Sequence, residues 1–351
     1  MNRYQMNSRR VSLGTVIIII GTLVLMTLLF IANLVYGSIS IPVDQVGKAL
    51  FGLPVDKKVW ELIVIKTRLP QTMVAMGAGM GLGISGLLMQ TMFRNPLAGP
   101  SVLGISSGAS LGVALVILVA DQCFEIVFST VGFWGDFAVI LASLLGAFVV
   151  LFTVLYVSKH LEGTLGVLIM GVMFGYLTNA VVSVLKFYST EESIQSYVMW
   201  GLGSFSRLNL TQATRFCIGM VVGSFSTLFF SKSLDLLSLG DRYAQNLGLN
   251  VDRTRRAIIF LAGVLTAVVT AFCGPVIFVG VAVPHISKLI LRTSRHTLLI
   301  AECCLMGGLV TLFCCLISRM PGSESTLPIN SVTAFIGAPI IISIIWKKRR
   351  M

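Results

Sequence analysis

Apolar runs of about 20 residues recur along the chain, separated by short polar and charged segments, and about 20 residues is what an α-helix needs to cross about 30 Å of hydrocarbon. Ten runs reach or approach that length: 11–35, 71–93, 101–119, 137–157, 165–187, 211–231, 257–273, 276–291, 297–317 and 327–346. Two stand out least by hydropathy: 101–119 is rich in small residues, and 276–291 is short and holds Pro284 and His285. The pattern predicts an all-α, polytopic membrane protein with about ten transmembrane helices.

Composition agrees with the pattern. Across 351 residues, 56% hydrophobic and 11% charged side chains cannot cover a water-facing surface of that size. The net charge of +12 is loop charge, since no soluble basic domain exists to carry a nucleic-acid stripe. With ten spans, most of the 26 Lys and Arg residues fall on one side, among them Arg94, Arg242, Arg255, Lys288 and Arg295, together with both chain ends. Asp44, Asp56, Glu61, Asp136, Glu191, Glu192 and Glu324 fall on the other. The positive-inside rule then places both termini in the cytoplasm. The first run follows Arg9 and Arg10, but it is too long for a signal-peptide core and lacks a small-x-small cleavage site, so a retained helix is the expectation.

No low-complexity linker divides the chain, so 1–351 reads as one membrane domain. Its longer connections are 36–70, 120–136 and 188–210 outside and 232–256 inside.

Inside the spans, spacing separates packing from chemistry. Gly77, Gly81 and Ser85 recur every four residues, with Gly79 and Gly83 on a neighbouring face. Small residues let helix backbones approach closely in lipid, so small residues on more than one face predict a helix enclosed by several others. Gly104, Gly108 and Gly112 repeat the device, and Ser106, Ser107 and Ser110 should face protein or a wet path rather than lipid. Met76 and Met80 have no Cys or His ladder to make a soft-metal relay, and the cysteine pairs 303/304 and 314/315 read as polarizable packing, so no metal site is expected. His285 in "VPHISK" reads as structural for want of a second ligand. Pro339 should kink the last helix.

Enzyme chemistry has no constellation here. Glu302 is the one carboxylate within a predicted span, thin support for a proton-coupled carrier. No G-x-x-x-x-G-K-[ST] loop is present, so if the chain pumps, another subunit supplies ATP hydrolysis. The inner loop "KSLDLLSLGDRYAQNLGLNVDRTRR" predicts a short helix over Asp241 to Leu247, stopped by Gly248 in a left-handed conformation. Tyr243 and Leu247 share one face, preceded by Leu234, Leu237 and Leu239; exposed apolar groups on a basic loop suggest a docking surface, with a helix lying on the bilayer as the alternative.

Four strings in register carry a resemblance: "TRLPQTMVAMGAGMGLGISGLLMQTMFRNPLAGPSVLGISSGASLG", "LLSLGDRYAQNLGLNV", "CGPVIFVGVAVPHISKLIL" and "LPINSVTAFIGAP". From about residue 11 onward the chain resembles the permease subunits of ABC importers for iron-siderophore complexes, heme and cobalamin. The resemblance implies a bacterial inner-membrane homodimer with the path at its interface, two cytoplasmic ATPase subunits carrying ATP and Mg, and an extracytoplasmic substrate-binding protein. This chain would be a transport subunit, neither an enzyme nor the holder of a cofactor. By the same resemblance Asn95, Leu97 and Thr164 match cytoplasmic gate positions, with Leu165 standing where a small hydroxyl residue can occur. Gly240, Asp241, Tyr243, Leu247 and Gly248 fall in the segment that docks the ATPase, and Arg68 and Arg319 match residues that grip the binding protein. Gln71 departs from an Arg often found there, leaving Lys66 as a substitute. Siderophore, heme and cobalamin permeases share these motifs, so the cargo is left open.

Overall fold

A computed structural model of the chain describes residues 13–119, 133–160, 164–319 and 326–348. Every predicted run that falls there is helical: α1 (Leu13–Val35), α2 (Leu69–Phe93), α3 (Ile105–Ala114), α4 (Phe133–Val157), α5 (Thr164–Tyr188), α6 (Leu210–Ser226), α7 (Val251–Cys273), α8 (Val279–Leu291), α9 (His296–Ser318) and α10 (Ile329–Lys348). Among the described residues there is no strand, and 7 helices are long and apolar enough to cross a membrane. The shorter apolar helices are Ile105–Val119, Val279–Leu291 and Ile329–Ser343. The outer connection 120–136, with Cys123, lies mostly outside the described residues.

α2 is the hub. It is buried along most of its length and packs against α6, α7, α8 and α9, which is the enclosure its small residues predict. Gly79 and Gly307 press backbone to backbone, each lying where the other's Cβ would overlap a carbonyl oxygen, so both positions exclude any side chain. Close approach also lets Thr311 Oγ1 reach across to the Ala75 carbonyl at 2.7 Å. On the other side of α2, Ser85 Oγ donates to the Ala262 carbonyl at 2.9 Å. Such interhelical bonds contribute about 0.6–2 kcal/mol each in a membrane. Met76 packs over Gly308.

α3 and α8 are short for a reason visible in their surroundings. A 13-residue helix such as α8 is about 20 Å long, less than the hydrocarbon thickness. The chain reaches each start by dipping into the bundle: Pro100 lies against Gly280, and Gly104 against Gly171. A left-handed Gly104 then opens α3, so the helix starts four residues later than the apolar run. Such irregular backbone is tolerated at membrane depth only when protein surrounds it. Ser106 accordingly meets Thr270 at 3.3 Å. Pro284 and Pro339 lie inside α8 and α10.

Basic residues collect at one end of the bundle, where α2 ends and α7 begins. The region 232–256, expected as a loop, is largely helical. α6 continues through a 3-10 turn into a Ser231–Leu239 helix, Gly240 breaks it, a short Asp241–Asn246 helix follows, and α7 starts at Val251. α7 begins six residues before its apolar run because its first turns carry Asp252, Arg253, Arg255 and Arg256.

Candidate functional site

α2 ends at Arg94, which adopts a left-handed conformation (φ 47°) and turns the chain into the segment 95–99. Asn95 is half-buried and accepts a bond from the Leu97 backbone N–H at 3.0 Å, a tight turn that leaves Leu97 45% exposed. Ala98 and Gly99 are buried again as the chain heads inward. A polar residue and an exposed leucine therefore stand at the basic end, on a segment braced against α8 through Gly99 and Val281. Thr164 opens α5, as expected; its side chain and that of Leu165 lie outside the described residues.

The segment beyond α6 is built as a projecting platform. Gly240 (φ 118°) makes a corner no L-residue adopts without strain. The helix Asp241–Asn246 buries Ala244 and exposes Tyr243 (56%). Leu247 follows as its C-cap, 55% exposed, and Gly248 (φ 84°) reverses the chain as the sequence predicts. Asn250 then caps α7 by accepting from the Arg253 N–H at 3.0 Å. Of the three preceding leucines, Leu239 is exposed, but Leu234 and Leu237 are buried, because they belong to a packed helix rather than a loop.

The end of α2 and the platform touch. The Arg94 guanidinium pairs with Asp241 Oδ1, and Arg255 Nη2 pairs with Asp241 Oδ2 at 3.0 Å. Sequence reading missed this contact, since Arg94 and Asp241 stand far apart in two polar connections and only the fold makes them neighbours. A second link runs beside it: Asp235 Oδ1 lies 2.7 Å from His296 Nδ1, whose Nε2 lies 2.9 Å from Thr91 Oγ1. Lys288 Nζ donates to Gln90 Oε1 at 3.4 Å, and Gln90 Nε2 to the Val281 carbonyl at 3.0 Å.

At the opposite end Arg68 and Arg319, expected as docking groups, are buried in the chain. Arg68 is 4% exposed and donates to the carbonyls of Leu34 (2.9 Å), Val35 (2.6 Å) and Ile39. Arg319 is 8% exposed and donates to Asn33 Oδ1 at 2.6 Å. Arg68 thereby ties off the end of α1, whose orphan carbonyls need donors, while Arg319 holds the Asn33 side chain on the same helix. Gln71 is buried as well, whereas Lys66 is exposed.

Glu302 is fully buried between α1 and α9, with Thr22 Oγ1 2.9 Å from Oε1. His285 is half-buried on α8, and among the described residues no three His, Cys, Asp or Glu side chains gather as metal ligands.

Known proteins share this architecture. The molybdate import system permease MolB of Haemophilus influenzae is 30% identical over 95% of this chain and 96% of its own length. The vitamin B12 import permease BtuC of Photorhabdus laumondii is 32% identical over 82% and 83%. A solved ABC transporter described as metal-chelate type, in an inward-facing conformation, superposes with a TM-score of 0.80 at 29% identity, covering 94% of this chain and 99% of its own. The profile of the FecCD transport family matches residues 23–347, and the chain belongs to that family of ABC-importer permeases.

Proposed function

We propose that this chain is the transmembrane subunit of an ATP-driven importer that moves a metal chelate (iron-siderophore, heme or cobalamin) into the cytoplasm as a homodimer. The observation that carries the reading is the platform: an exposed Tyr243 and Leu247 held out on a glycine-cornered helix beside a cluster of arginines. Apolar side chains presented on a rigid helix are what a partner's groove captures. An ABC ATPase is that partner, holding ATP and Mg that this chain has no phosphate loop to bind. All ten helices would cross the inner membrane of a bacterium, with the basic end and both termini cytoplasmic. Cargo would leave past Asn95, Leu97 and Thr164 when the dimer faces inward, and ATP-driven closure of the ATPases would reverse the state. The metal-chelate description of the solved relative and the vitamin B12 permeases support a chelate cargo; the molybdate permease extends the comparison to a metal oxyanion. An extracytoplasmic binding protein would deliver it, meeting exposed groups such as Lys66 rather than the buried Arg68 and Arg319.

A proton-coupled carrier is the second reading, and Glu302 is its observation. Its place between α1 and α9, bonded to Thr22, fits helix pairing better than proton passage. Purification from the native membrane tests the choice of importer and cargo together. A co-purifying ATPase, plus a binding protein with a ferric, heme or corrinoid absorption, is expected; molybdenum in that protein by mass spectrometry would replace the chelate, and absence of any ATPase would contradict the importer.

A further inference from the structure

The corner at Gly240 separates two helices that both reach the same end of α2, by different means. On one side, Ser231–Leu239 is packed into the bundle through Leu234 and Leu237, and its Asp235 engages His296, itself 3% exposed, which in turn meets Thr91. Asp235 Oδ1 also accepts the His296 backbone N–H at 2.9 Å. This is an anchor: buried and bonded at several points. On the other side, Asp241–Asn246 has only Ala244 buried, and its Asp241 grips Arg94 one turn further along the same strip of α2. The Arg94 and Asp241 side chains are 45% and 39% exposed, so this contact is an arm at the surface.

Arg94 is also the residue at which α2 ends. Its backbone is left-handed, uncommon for a residue with a Cβ, and the next residues are Asn95 and Leu97. A displacement of the platform about Gly240 therefore arrives at the hinge of the gate segment, while Asp235, His296 and Thr91 hold the helix behind it still. Arg255, on the first turns of α7, shares Asp241 and gives the arm a second footing.

We infer that Arg94 is a positioning residue that couples the Asp241–Asn246 platform to the gate segment 95–99 through the Arg94–Asp241–Arg255 bridge. The inference rests on the importer reading above, in which the platform receives the ATPase and the segment closes the path. The Arg94–Asp241 pair lies at the surface, where an ion pair adds little to stability, so this half of the bridge can be opened without unfolding the bundle. What it transmits is displacement, and coupling between two sites is commonly about 5-fold to 150-fold.

The test uses the complex isolated with its ATPase and a Leu97→Cys reporter, labelled by a water-soluble maleimide with and without ATP, Mg and vanadate. The chain without the added cysteine gives the background. With Arg94 intact, the labelling rate should differ at least about fivefold between the two states. Arg94→Gln should abolish that difference and substrate uptake while the ATPase stays bound and hydrolyses ATP at the parent rate. Arg94→Lys, which keeps a charge for Asp241, should restore part of it. Arg255→Gln provides a second route should Arg94→Gln not fold, and should shrink the difference. Retention of the full nucleotide dependence in both Gln variants would overturn the bridge and leave the importer standing. An intact-Arg94 complex with no associated ATPase, or with labelling blind to nucleotide, would bring down the importer reading and the bridge with it.

Discussion

At the scale of single residues, burial decides what each polar group does. The Thr22 hydroxyl lies within bonding distance of both the Ile18 carbonyl (3.1 Å) and Glu302 Oε1 (2.9 Å), so a carboxamide can take the carboxyl's place as a partner. Glu302→Gln should therefore leave uptake and thermal stability near the parent values. Glu302→Ala should lower stability in detergent by about 0.6–2 kcal/mol, the range for one interhelical bond. Loss of transport in the Gln variant with the fold intact would instead favour a proton-coupled carrier. Glycines divide by the same logic. Gly79→Val should abolish the folded protein, because any Cβ there meets the Gly307 backbone, whereas Gly219→Val should be silent because nothing lies within 4 Å; monodisperse yield after gel filtration separates the two. Arg68 belongs here as well. Its chemistry invites a surface partner, but three backbone carbonyls at the end of α1 and in the connection after it occupy it, so Arg68→Ala should reduce stability rather than binding-protein affinity alone.

At the scale of elements, hydropathy and spacing carry far. Each apolar run has its helix, and the two faintest runs are the two helices that start inside the bundle. Where the reading slips, the cause is local. Polar first turns hide the start of α7, a 3-10 turn before Gly104 delays α3, and the region 232–256 looks like a loop because its helices are amphipathic and broken by Gly240. The short helix from Asp241 and its stop at Gly248 were legible, because a left-handed glycine after a polar turn is a local signal. The bridge from Arg94 to Asp241 was not, since pairing between distant polar connections leaves no periodicity to read. For the platform, Leu247→Asp should weaken ATPase binding by about tenfold or more, as loss of a buried apolar anchor does; binding to the immobilised permease measures it. Gly248→Val should uncouple hydrolysis from uptake, because φ 84° is a strained conformation for a β-branched residue.

At the scale of the whole molecule, the architecture separates a stiff interior from a more exposed basic end. α2 is locked to its neighbours by backbone contact and hydroxyl bonds, leaving little freedom for local bending. In the importer reading, motion would be delivered at the basic end, where the close of α2 and the projecting platform share one aspartate. That arrangement suits a subunit whose energy arrives from outside, and it has no need of an ionisable residue in mid-membrane. The direct test is uptake into vesicles holding the reconstituted complex, with the cargo-loaded binding protein supplied outside and ATP inside. The account predicts uptake that requires ATP, stops with vanadate and persists when an ionophore collapses the proton gradient. Uptake that proceeds without ATP and ends with the gradient would contradict it.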